Sequence, residues 1–348
     1  MSETELLRDC WYVAAHAGAL ARGAMLPVTL LDEQVLLGRD NHGSVFALRD
    51  FCPHRGIPLR YGRFDGNEIE CCYHGWRFNS QGCCTTIPSL VAGDPTDVSK
   101  IKTPAYACVE QDGLIWVYMA RDAKQPPASP PTHMLPSAGD RFRLVQSIEF
   151  PCAIDHAVIG LMDPAHGPFV HRSWWWRTAK SMHEKSKQFA PRGMGFSMLS
   201  HAPSSNSRAY RILGASGERR TEITFQLPGL RTELITMGEK RVQLLTALTP
   251  ISAERTMLHQ FLHTNIGLVN RLLPLAMPFA KAFIHQDMVV VKQQQEGLSQ
   301  PHAPLMLLGD ADAQALWYYR LKKEYLAAQS ESRPFENPLK ERTLKWRS

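Results

Sequence analysis

The sequence predicts an α+β protein with an all-β N-terminal domain and a C-terminal domain in which a curved antiparallel sheet packs on a long helix. The chain has 348 residues, which is long for a single hydrophobic core. Strand-like segments fill the first 120 residues, and a second set, followed by a helical pattern, begins near residue 195. A proline-rich stretch lies between the two sets. These observations predict two domains.

The N-terminal domain is predicted from short apolar runs separated by Asp, Asn and Gly, at 27–33, 34–40, 44–50 and 113–120. The next sixteen residues, RDAKQPPASPPTHMLP, contain five prolines and cannot hold a helix or a central strand. We therefore predict a first domain at 1–122, a linker at 123–136 and a second domain at 137–348.

The second domain has a mixed segment at 151–171, with helix-compatible spacing before Gly167. An antiparallel meander follows, because turn residues separate strand-like segments. These segments lie at 208–214, 220–227, 230–237, 241–250 and 256–264. A helix is predicted at about 268–298, and we expect a polar tail from there to the end of the chain.

The composition is that of an ordinary soluble protein, with 44% hydrophobic and 21% charged residues. No uninterrupted apolar run reaches the 18 residues expected of a spanning helix, and the first residues lack the apolar segment of a secretory signal. We expect a cytoplasmic protein. The net charge of +6 is spread along the chain, which argues against nucleic-acid binding. It indicates a solvated surface or, at 340–348, a docking patch for an acidic partner.

Cysteine and histidine spacing indicates a first metal site. Five of the eight cysteines lie between 52 and 84, and without a secretory signal such clustering indicates metal rather than disulfides. Cys52 and His54 form a C-x-H pair, and sixteen residues later Cys71 and His74 form a C-x-x-H pair. Two thiolates and two imidazoles are the ligand set of a Rieske [2Fe–2S] cluster.

Three alternatives accompany this site. The same four residues could hold a structural zinc ion, although zinc sites usually pair like ligands, as in C-x2-C. Cys72 could replace Cys71, which would make the second pair C-x-H. Cys83 and Cys84 are interpreted as packing residues, since four ligands are already present.

A second metal site is indicated by Asp163, His166 and His171. Two histidines and a carboxylate form the facial triad of non-haem Fe(II), which leaves coordination positions open. On a straight helix His166 and His171 would lie about 140° apart, which is unsuitable for one metal. Gly167 and Pro168 are expected to break the helix and let the imidazoles converge. The alternative is a pair of structural histidines.

Both motifs resemble those of Rieske non-haem iron oxygenases, in particular the oxygenase (α) component. CPHRG at 52–56 with CCYHGW at 71–76 is similar to the cluster-binding signature, and DPAHGPFVH at 163–171 is similar to the motif for the mononuclear iron. The resemblance extends from Trp11 to the helix around 287. It implies a Rieske β-domain joined to a helix-grip catalytic domain. As cluster ligands it implies Cys52, His54, Cys71 and His74.

For the mononuclear iron, the resemblance implies His166 and His171 as ligands. Asp163 is then not a ligand; in this family it links an iron-site histidine to a cluster histidine of the neighbouring subunit, along the electron path. The third ligand is expected to be a carboxylate more than a hundred residues downstream. Asp287 is the best match and Glu296 the second candidate, and the alternative for Asp287 is a salt-bridged or capping residue.

The resemblance also implies the activity and the partners. Each chain would hold one Rieske [2Fe–2S] cluster and one mononuclear Fe(II). A ferredoxin or flavin reductase would donate electrons, so that NAD(P)H is used only indirectly. The chain length resembles the homotrimeric monooxygenase and demethylase branch, with a head-to-tail trimer. A Rieske electron carrier without oxygenase activity and a zinc-stabilised binding protein are the rival functions.

The sequence carries less information about the substrate than about the metal sites. We expect hydroxylation or oxidative demethylation of a hydrophobic aromatic or polycyclic molecule. The tryptophans at 174–176 could face a pocket or a subunit interface, and the apolar stretch 268–283 could line an entrance. Candidate pocket walls on the meander, each of which could equally be core, are Phe225, Leu227, Leu230, Leu244, Leu248 and Phe261.

Overall fold

The computed structural model describes residues 5–122, 127, 129–137, 139–171, 182–201, 219–301 and 305–348. The chain forms two compact units, one from Arg8 to Phe142 and the other from Arg143 to Ser348 with the residues before Arg8. The described part of the proline-rich stretch hydrogen-bonds to the first unit. The indole of Trp11 donates to the carbonyl of Ser129 (2.8 Å), and Gln111 donates to that of Pro131 (2.6 Å).

The first unit is built from antiparallel strands. They pair in three sheets with the orders β1-β11-β10, β2-β3-β4-β9 and β5-β6-β7-β8. The strands are β1 (Cys10–His16), β2 (Ala24–Leu30), β3 (Glu33–Arg39), β4 (Val45–Arg49), β5 (Arg63–Phe64), β6 (Glu68–Glu70), β7 (Arg77–Asn79), β8 (Cys84–Thr86), β9 (Ala105–Tyr106), β10 (Cys108–Gln111) and β11 (Leu114–Met119).

The turn between β2 and β3 differs from the expectation. The predicted strands 27–33 and 34–40 placed the boundary after residue 33, whereas the strands end at Leu30 and begin again at Glu33. Leu31 and Asp32 both have positive φ, 51° and 64°. Two residues of positive φ form a hairpin turn whose twist matches that of the strands. The apolar run through Leu31 hid this turn.

The core of the first unit contains two of the predicted ligands. Cys52 and Cys71 belong to a cluster of buried residues with Leu36, Leu48 and Phe78. The thiol groups of Cys52 and Cys71 therefore lie in a buried, close-packed region rather than on the surface.

The second unit contains one eight-stranded antiparallel sheet, in the order β12-β18-β17-β16-β15-β14-β13-β19. The predicted meander is confirmed from 220 onward, whereas the segment 208–214 lies outside the described residues. The strands are β12 (Arg143–Phe150), β13 (Glu184–Arg192), β14 (Gly195–His201), β15 (Arg219–Gln226), β16 (Leu230–Met237), β17 (Lys240–Ser252), β18 (Arg255–Thr264) and β19 (Arg342–Arg347).

Four helices accompany the sheet in the described residues: α1 (Ile154–Met162), α2 (Gly167–Val170), α3 (Gly267–Leu298) and α4 (Ala313–Ser330). The predicted helix 268–298 agrees with α3, which contacts β12 and β18. The mostly antiparallel sheet with helices packed on it confirms the predicted α+β class. In the described part of the chain, no helix has both the length and the hydropathy that crossing a bilayer requires.

The expectation of a polar C-terminal tail was wrong. Helix α4 packs on the sheet through Trp317, whose ring lies 5.6 Å from that of Phe189 and 5.2 Å from that of Phe196. Strand β19 then pairs with β13 at the edge of the sheet. The many polar residues of these segments concealed the burial, because amphipathic side chains such as Lys and Trp bury their apolar parts only after packing.

Candidate metal centres

Two loops of the first unit share one backbone conformation. In the loop after β4, the N–H of Cys52 donates to the carbonyl of Ile57 (2.9 Å), and that of Gly56 donates to the carbonyl of Cys52 (2.9 Å). Cys71–Trp76, between β6 and β7, repeats this pattern at 2.8 and 3.0 Å. Gly56 and Gly75 have φ of +75° and +71°, which only glycine adopts readily. Cys52 and Cys71 therefore occupy equivalent positions of the two loops, whereas His54 follows its cysteine by two residues and His74 by three.

The two thiols lie in the buried ends of these loops, since Cys52 and Cys71 are 1% and 3% exposed. Burial and, to a smaller extent, the neighbouring Cys71 raise the pKa of Cys52 to about 11. Backbone N–H groups of His54 and Arg55 oppose this rise by hydrogen-bonding to the sulfur. Buried sulfurs that already receive N–H donors suit thiolates bound to metal. Cys72, by contrast, is exposed.

The two imidazoles lie side by side on the outer part of the same loops. The rings of His54 and His74 are 4.4 Å apart, and Trp76 stacks on His54 at 4.5 Å with an interplanar angle of 4°. The indole Nε1 of Trp76 is buried and has no hydrogen-bond partner among the residues that the structure describes. Desolvation and the charges of His74 and Arg55 lower the pKa of His54, which favours the neutral, ligating form.

These four side chains do not surround a single point. In the described residues, only one group of three or more His, Cys, Asp or Glu side chains has its ligand atoms within 4.8 Å of one another, and it contains none of these four. A tetrahedral zinc ion with bonds of about 2.0 to 2.3 Å would bring all its ligands within that limit. Like ligands are neighbours here, with Cys71 beside Cys52 and the rings of His54 and His74 4.4 Å apart. A two-iron cluster, with sulfur ligands on one iron and nitrogen ligands on the other, uses this arrangement.

The second centre begins where helix α1 ends. Met162 closes α1, Asp163 to His166 leave the helical path, and α2 starts at Gly167 with Pro168 in its first turn. The expected break at Gly167 and Pro168 was wrong, because both residues are helical in α2 and the interruption lies before them. Proline is tolerated in the first turn of a helix and prevents the preceding helix from continuing. The imidazoles do converge: the Nε2 atoms of His166 and His171, the two residues that flank α2, lie 3.3 Å apart.

Helix α3 brings Asp287 to the same place. Its Oδ1 atom lies 3.1 Å from Nε2 of His171 and 3.7 Å from Nε2 of His166. These three residues form the group within 4.8 Å described above. Ligand atoms at right angles on a metal with bonds of about 2.1 Å would lie about 3.0 Å apart, so the spacing fits one ion. Glu296 is exposed and lies outside the group.

Asp163 lies behind His166, on the side away from Asp287. Its Oδ2 atom is 3.6 Å from Nδ1 of His166, and its Oδ1 accepts the N–H of Ala165 at 2.7 Å. Burial lowers the pKa of His166, but the carboxylates of Asp163 and Asp287 outweigh burial and raise the pKa above its ordinary value. Negative charge on both sides of this imidazole prepares the site for a cation.

The surroundings of His171 were not foreseen from the sequence. Its ring stacks on Phe283 at 3.6 Å with an interplanar angle of 16°, and its Nδ1 lies 3.0 Å from Oε1 of Gln286. Phe283, Gln286 and Asp287 occupy positions i, i+3 and i+4 of α3 and therefore share one face. The position of Phe283 and Gln286 on the same helix face as the predicted ligand Asp287 was the sequence signal that could have predicted these contacts.

The candidate pocket walls on the meander differ in burial. Phe225, Leu227, Leu248 and Phe261 are buried, whereas Leu230 and Leu244 are half-buried. Large apolar side chains of 268–283 are exposed along α3, namely Leu268, Leu272, Leu275 and Phe279. The tryptophans at 174–176 lie outside the described residues.

Comparison with known proteins agrees with both centres. Residues 10–107 match the family model of the Rieske [2Fe-2S] domain, and residues 160–328 match that of the vanillate O-demethylase oxygenase C-terminal domain. Together these matches span most of the chain. The chain belongs to the Rieske non-haem iron oxygenase family. The first match indicates a [2Fe–2S] cluster, and the second covers His166, His171 and Asp287.

Two relatives show how far the likeness to this family extends. Chlorophyllide a oxygenase of Chlamydomonas reinhardtii is 33% identical over 50% of this chain and 26% of its own length. The iron–sulfur subunit of the toluene-4-sulfonate monooxygenase system of Comamonas testosteroni is 40% identical over 35% of this chain and 34% of its own length. The matches therefore span about a quarter to a third of these relatives.

Among solved structures, dicamba monooxygenase bound to dicamba has the same fold. The TM-score is 0.73 at 22% identity, over 94% of this chain and 99% of that one. This likeness confirms the predicted fold, a Rieske β-domain followed by a catalytic domain with a large antiparallel sheet.

Proposed function

We propose that this chain is the terminal oxygenase component of a multi-component system. It would use O2 and electrons relayed through its Rieske cluster to hydroxylate or oxidatively demethylate a hydrophobic aromatic or polycyclic molecule. One observation carries the proposal. A single chain contains both the two matched Cys/His loops and a separate group of His166, His171 and Asp287.

The protein groups have distinct tasks in this proposal. Cys52, His54, Cys71 and His74 hold the cluster, whose buried thiolates are stabilised by backbone N–H groups. The side chains of His166, His171 and Asp287 converge from one direction, which leaves the remaining positions of an Fe(II) ion open. The bound metal groups would supply single-electron relay and O2 activation.

Asp163 is proposed to act through His166. Its carboxylate faces Nδ1, the nitrogen turned away from the shared centre, at 3.6 Å. At this distance its charge favours a proton on Nδ1 without a hydrogen bond, which leaves Nε2 free to ligate. As the family resemblance implies, the same carboxylate would connect His166 with a cluster histidine of the neighbouring subunit. This role requires a head-to-tail homotrimer, which we propose as the assembly.

The substrate class rests on the relatives. The names of these similar proteins and of the matching family model include toluene-4-sulfonate, vanillate and dicamba, which are single-ring aromatic compounds, and chlorophyllide, a polycyclic one. We propose a ferredoxin or flavin reductase as electron donor, with NAD(P)H consumed by that partner, and a cytoplasmic location.

Iron content and product formation test the proposal. The purified chain should hold three irons, be brown-red and show a Rieske EPR signal when reduced. The variant His166→Ala should keep the colour and lose one iron together with product formation from O2. Product must be measured, because O2 consumption can be uncoupled from turnover. His285→Ala is the matched control, since His285 is exposed on α3 two residues from Asp287.

The rival functions give different results in the same assay. An electron carrier would hold two irons, and His166→Ala would change neither iron content nor colour. A zinc-stabilised binding protein would be colourless and contain zinc. Either result would contradict the proposed oxygenase.

A further inference from the structure

The ring of His171 contacts one face of α3 in three ways. Phe283 stacks on its plane at 3.6 Å, Gln286 lies 3.0 Å from Nδ1, and Asp287 lies 3.1 Å from Nε2. The imidazole is 3% exposed, so water does not replace these contacts. Its plane and both of its nitrogens are therefore held by the helix that also contributes the carboxylate.

The Gln286 contact decides which nitrogen carries the proton. The atom facing Nδ1 is the amide oxygen, which only accepts hydrogen bonds. Nδ1 must then carry the hydrogen, and the lone pair of neutral His171 lies on Nε2. That nitrogen faces His166 and Asp287, at 3.3 and 3.1 Å. The geometry thus presents the free lone pair to the shared centre.

We propose that Gln286 is a positioning residue of the mononuclear iron site. Its amide oxygen accepts the Nδ1–H of His171, selects the tautomer with a free Nε2 and, with Phe283, fixes the orientation of the ring. The inference rests on the proposed function, because it assumes that an Fe(II) ion is bound by His166, His171 and Asp287.

The two histidines are consequently oriented by different chemistry. A carboxylate, Asp163, lies 3.6 Å behind Nδ1 of His166, whereas a neutral amide lies behind His171. A carboxylate donates more charge to the ligand than an amide does. The amide therefore orients His171 without adding a third negative charge to a centre that already has Asp163 and Asp287.

The test uses two substitutions of Gln286 with opposite hydrogen-bonding capacity. Gln286→Leu keeps similar bulk and removes the acceptor, whereas Gln286→Glu keeps an acceptor oxygen. Anaerobic Fe(II) titration of protein with an intact cluster measures the affinity of the mononuclear site. We expect Gln286→Leu to weaken Fe(II) binding by about 10- to 100-fold and Gln286→Glu to stay within about threefold of the parent. Gln293→Leu, an exposed position on the same helix, is the control and should change nothing.

Further measurements separate positioning from folding. The visible spectrum of the cluster and the melting temperature should be the same in all four proteins. Unchanged Fe(II) binding in Gln286→Leu would overturn the inference. Equal losses in the Leu and Glu variants would do so as well, because they would mean that the amide N–H donates to Nδ1. A parent protein without a third iron would instead contradict the proposed function, and with it this role.

Discussion

Adjacent cysteines of the second Rieske loop have opposite environments. Cys71 is buried beside Cys52, whereas Cys72 is exposed. The alternation follows from the loop, whose first residue hydrogen-bonds inward through its backbone to Trp76 and Gly75. Sequence spacing alone left both cysteines as candidates, and burial favours Cys71.

This difference predicts opposite results for two serine substitutions. Cys71→Ser should abolish the visible absorbance of the cluster and remove two irons per chain, because serine is a poor ligand for a [2Fe–2S] centre. Cys72→Ser should retain both the absorbance and the iron. Iron analysis and the reduced EPR spectrum check the pair, and a colourless Cys72→Ser protein would reverse the assignment.

Asp163→Asn tests a residue that touches a proposed ligand without being one. The carboxylate is 3.6 Å from Nδ1 of His166 and is not part of the group that could hold an ion. We expect the variant to keep all three irons and to form product at least about tenfold more slowly. Iron analysis and product quantification decide this. Loss of the third iron would contradict the role given to Asp163.

At the scale of elements, a buried ion pair joins α1 to α4. Nζ of Lys322 lies 2.7 and 2.8 Å from the carboxylate oxygens of Asp155, and the hydroxyl of Tyr318 donates to the same carboxylate at 2.5 Å. The side chains of Lys322 and Asp155 are 7% and 2% exposed. Helix α1 ends immediately before Asp163 and His166. The ion pair therefore fixes the position of the helix that leads into the second metal centre.

Removing one member of the pair should be strongly destabilising. Lys322→Met leaves the Asp155 carboxylate buried without its cation, which costs about 3 to 5 kcal/mol of unfolding free energy. Lys323→Met, at the exposed neighbouring position, should change it by less than about 0.5 kcal/mol. Urea unfolding followed by circular dichroism measures both. Recovery of stability in the double variant Asp155→Leu/Lys322→Met is expected, since two apolar side chains can replace a buried pair.

In the first unit, Glu33 connects the β2–β3 hairpin to its neighbours. It accepts hydrogen bonds from Arg8 (2.7 Å), Arg49 (2.8 Å) and the hydroxyl of Tyr106 (2.6 Å). Burial raises the pKa of Glu33, but the bonds from Tyr106 and Arg8 and the charges of Arg8 and Arg49 outweigh burial and hold the pKa below its ordinary value.

A carboxylate with a lowered pKa stabilises the fold above its unfolded-state pKa, about 4.3, and this stabilisation is lost as the pH falls through the folded-state value. Glu33→Gln should therefore lower the unfolding free energy by about 1 to 3 kcal/mol at pH 7. The difference from the parent should shrink below about pH 4.3. Asp32→Asn removes an exposed charge from the same hairpin and serves as the control. A difference in unfolding free energy between the parent and Glu33→Gln that does not change with pH would contradict the proposed role of the Glu33 charge.

For the whole molecule, the proposed trimer makes a prediction about mixed assemblies. Cys71→Ser should lack a cluster and His166→Ala should lack the mononuclear iron, so each homotrimer is inactive. Co-expressed and isolated as mixed trimers, the two variants should regain about a third of the parental activity, because a mixed head-to-tail trimer places an intact cluster beside an intact iron site at one of its three interfaces. Product formation by co-purified, doubly tagged trimers measures this. Inactive mixed trimers of confirmed composition would contradict transfer between subunits.

Much of the fold was predictable because its signals are local. Alternating apolar residues predicted the strand at 230–237, whose bounds agree with β16, and helical periodicity predicted α3 despite its two internal prolines. The turn at Leu31–Asp32 was misplaced, because its first positive-φ residue is Leu31, an apolar residue that continues the strand-like run. Helix α4 and strand β19 were missed, since their apolar faces become evident only against the sheet.

The sequence by itself determined the chemistry of this protein. The two Cys/His pairs, the D-x-x-H-x4-H motif and the helix with Asp287 specify which metal-binding groups are present, because ligand type and short spacing are local properties. Only the tertiary structure decided which groups meet. It brought Asp287 to His171 across more than a hundred residues, turned Cys71 rather than Cys72 inward and placed Gln286 behind the imidazole, since packing sets long-range contacts that no local pattern encodes.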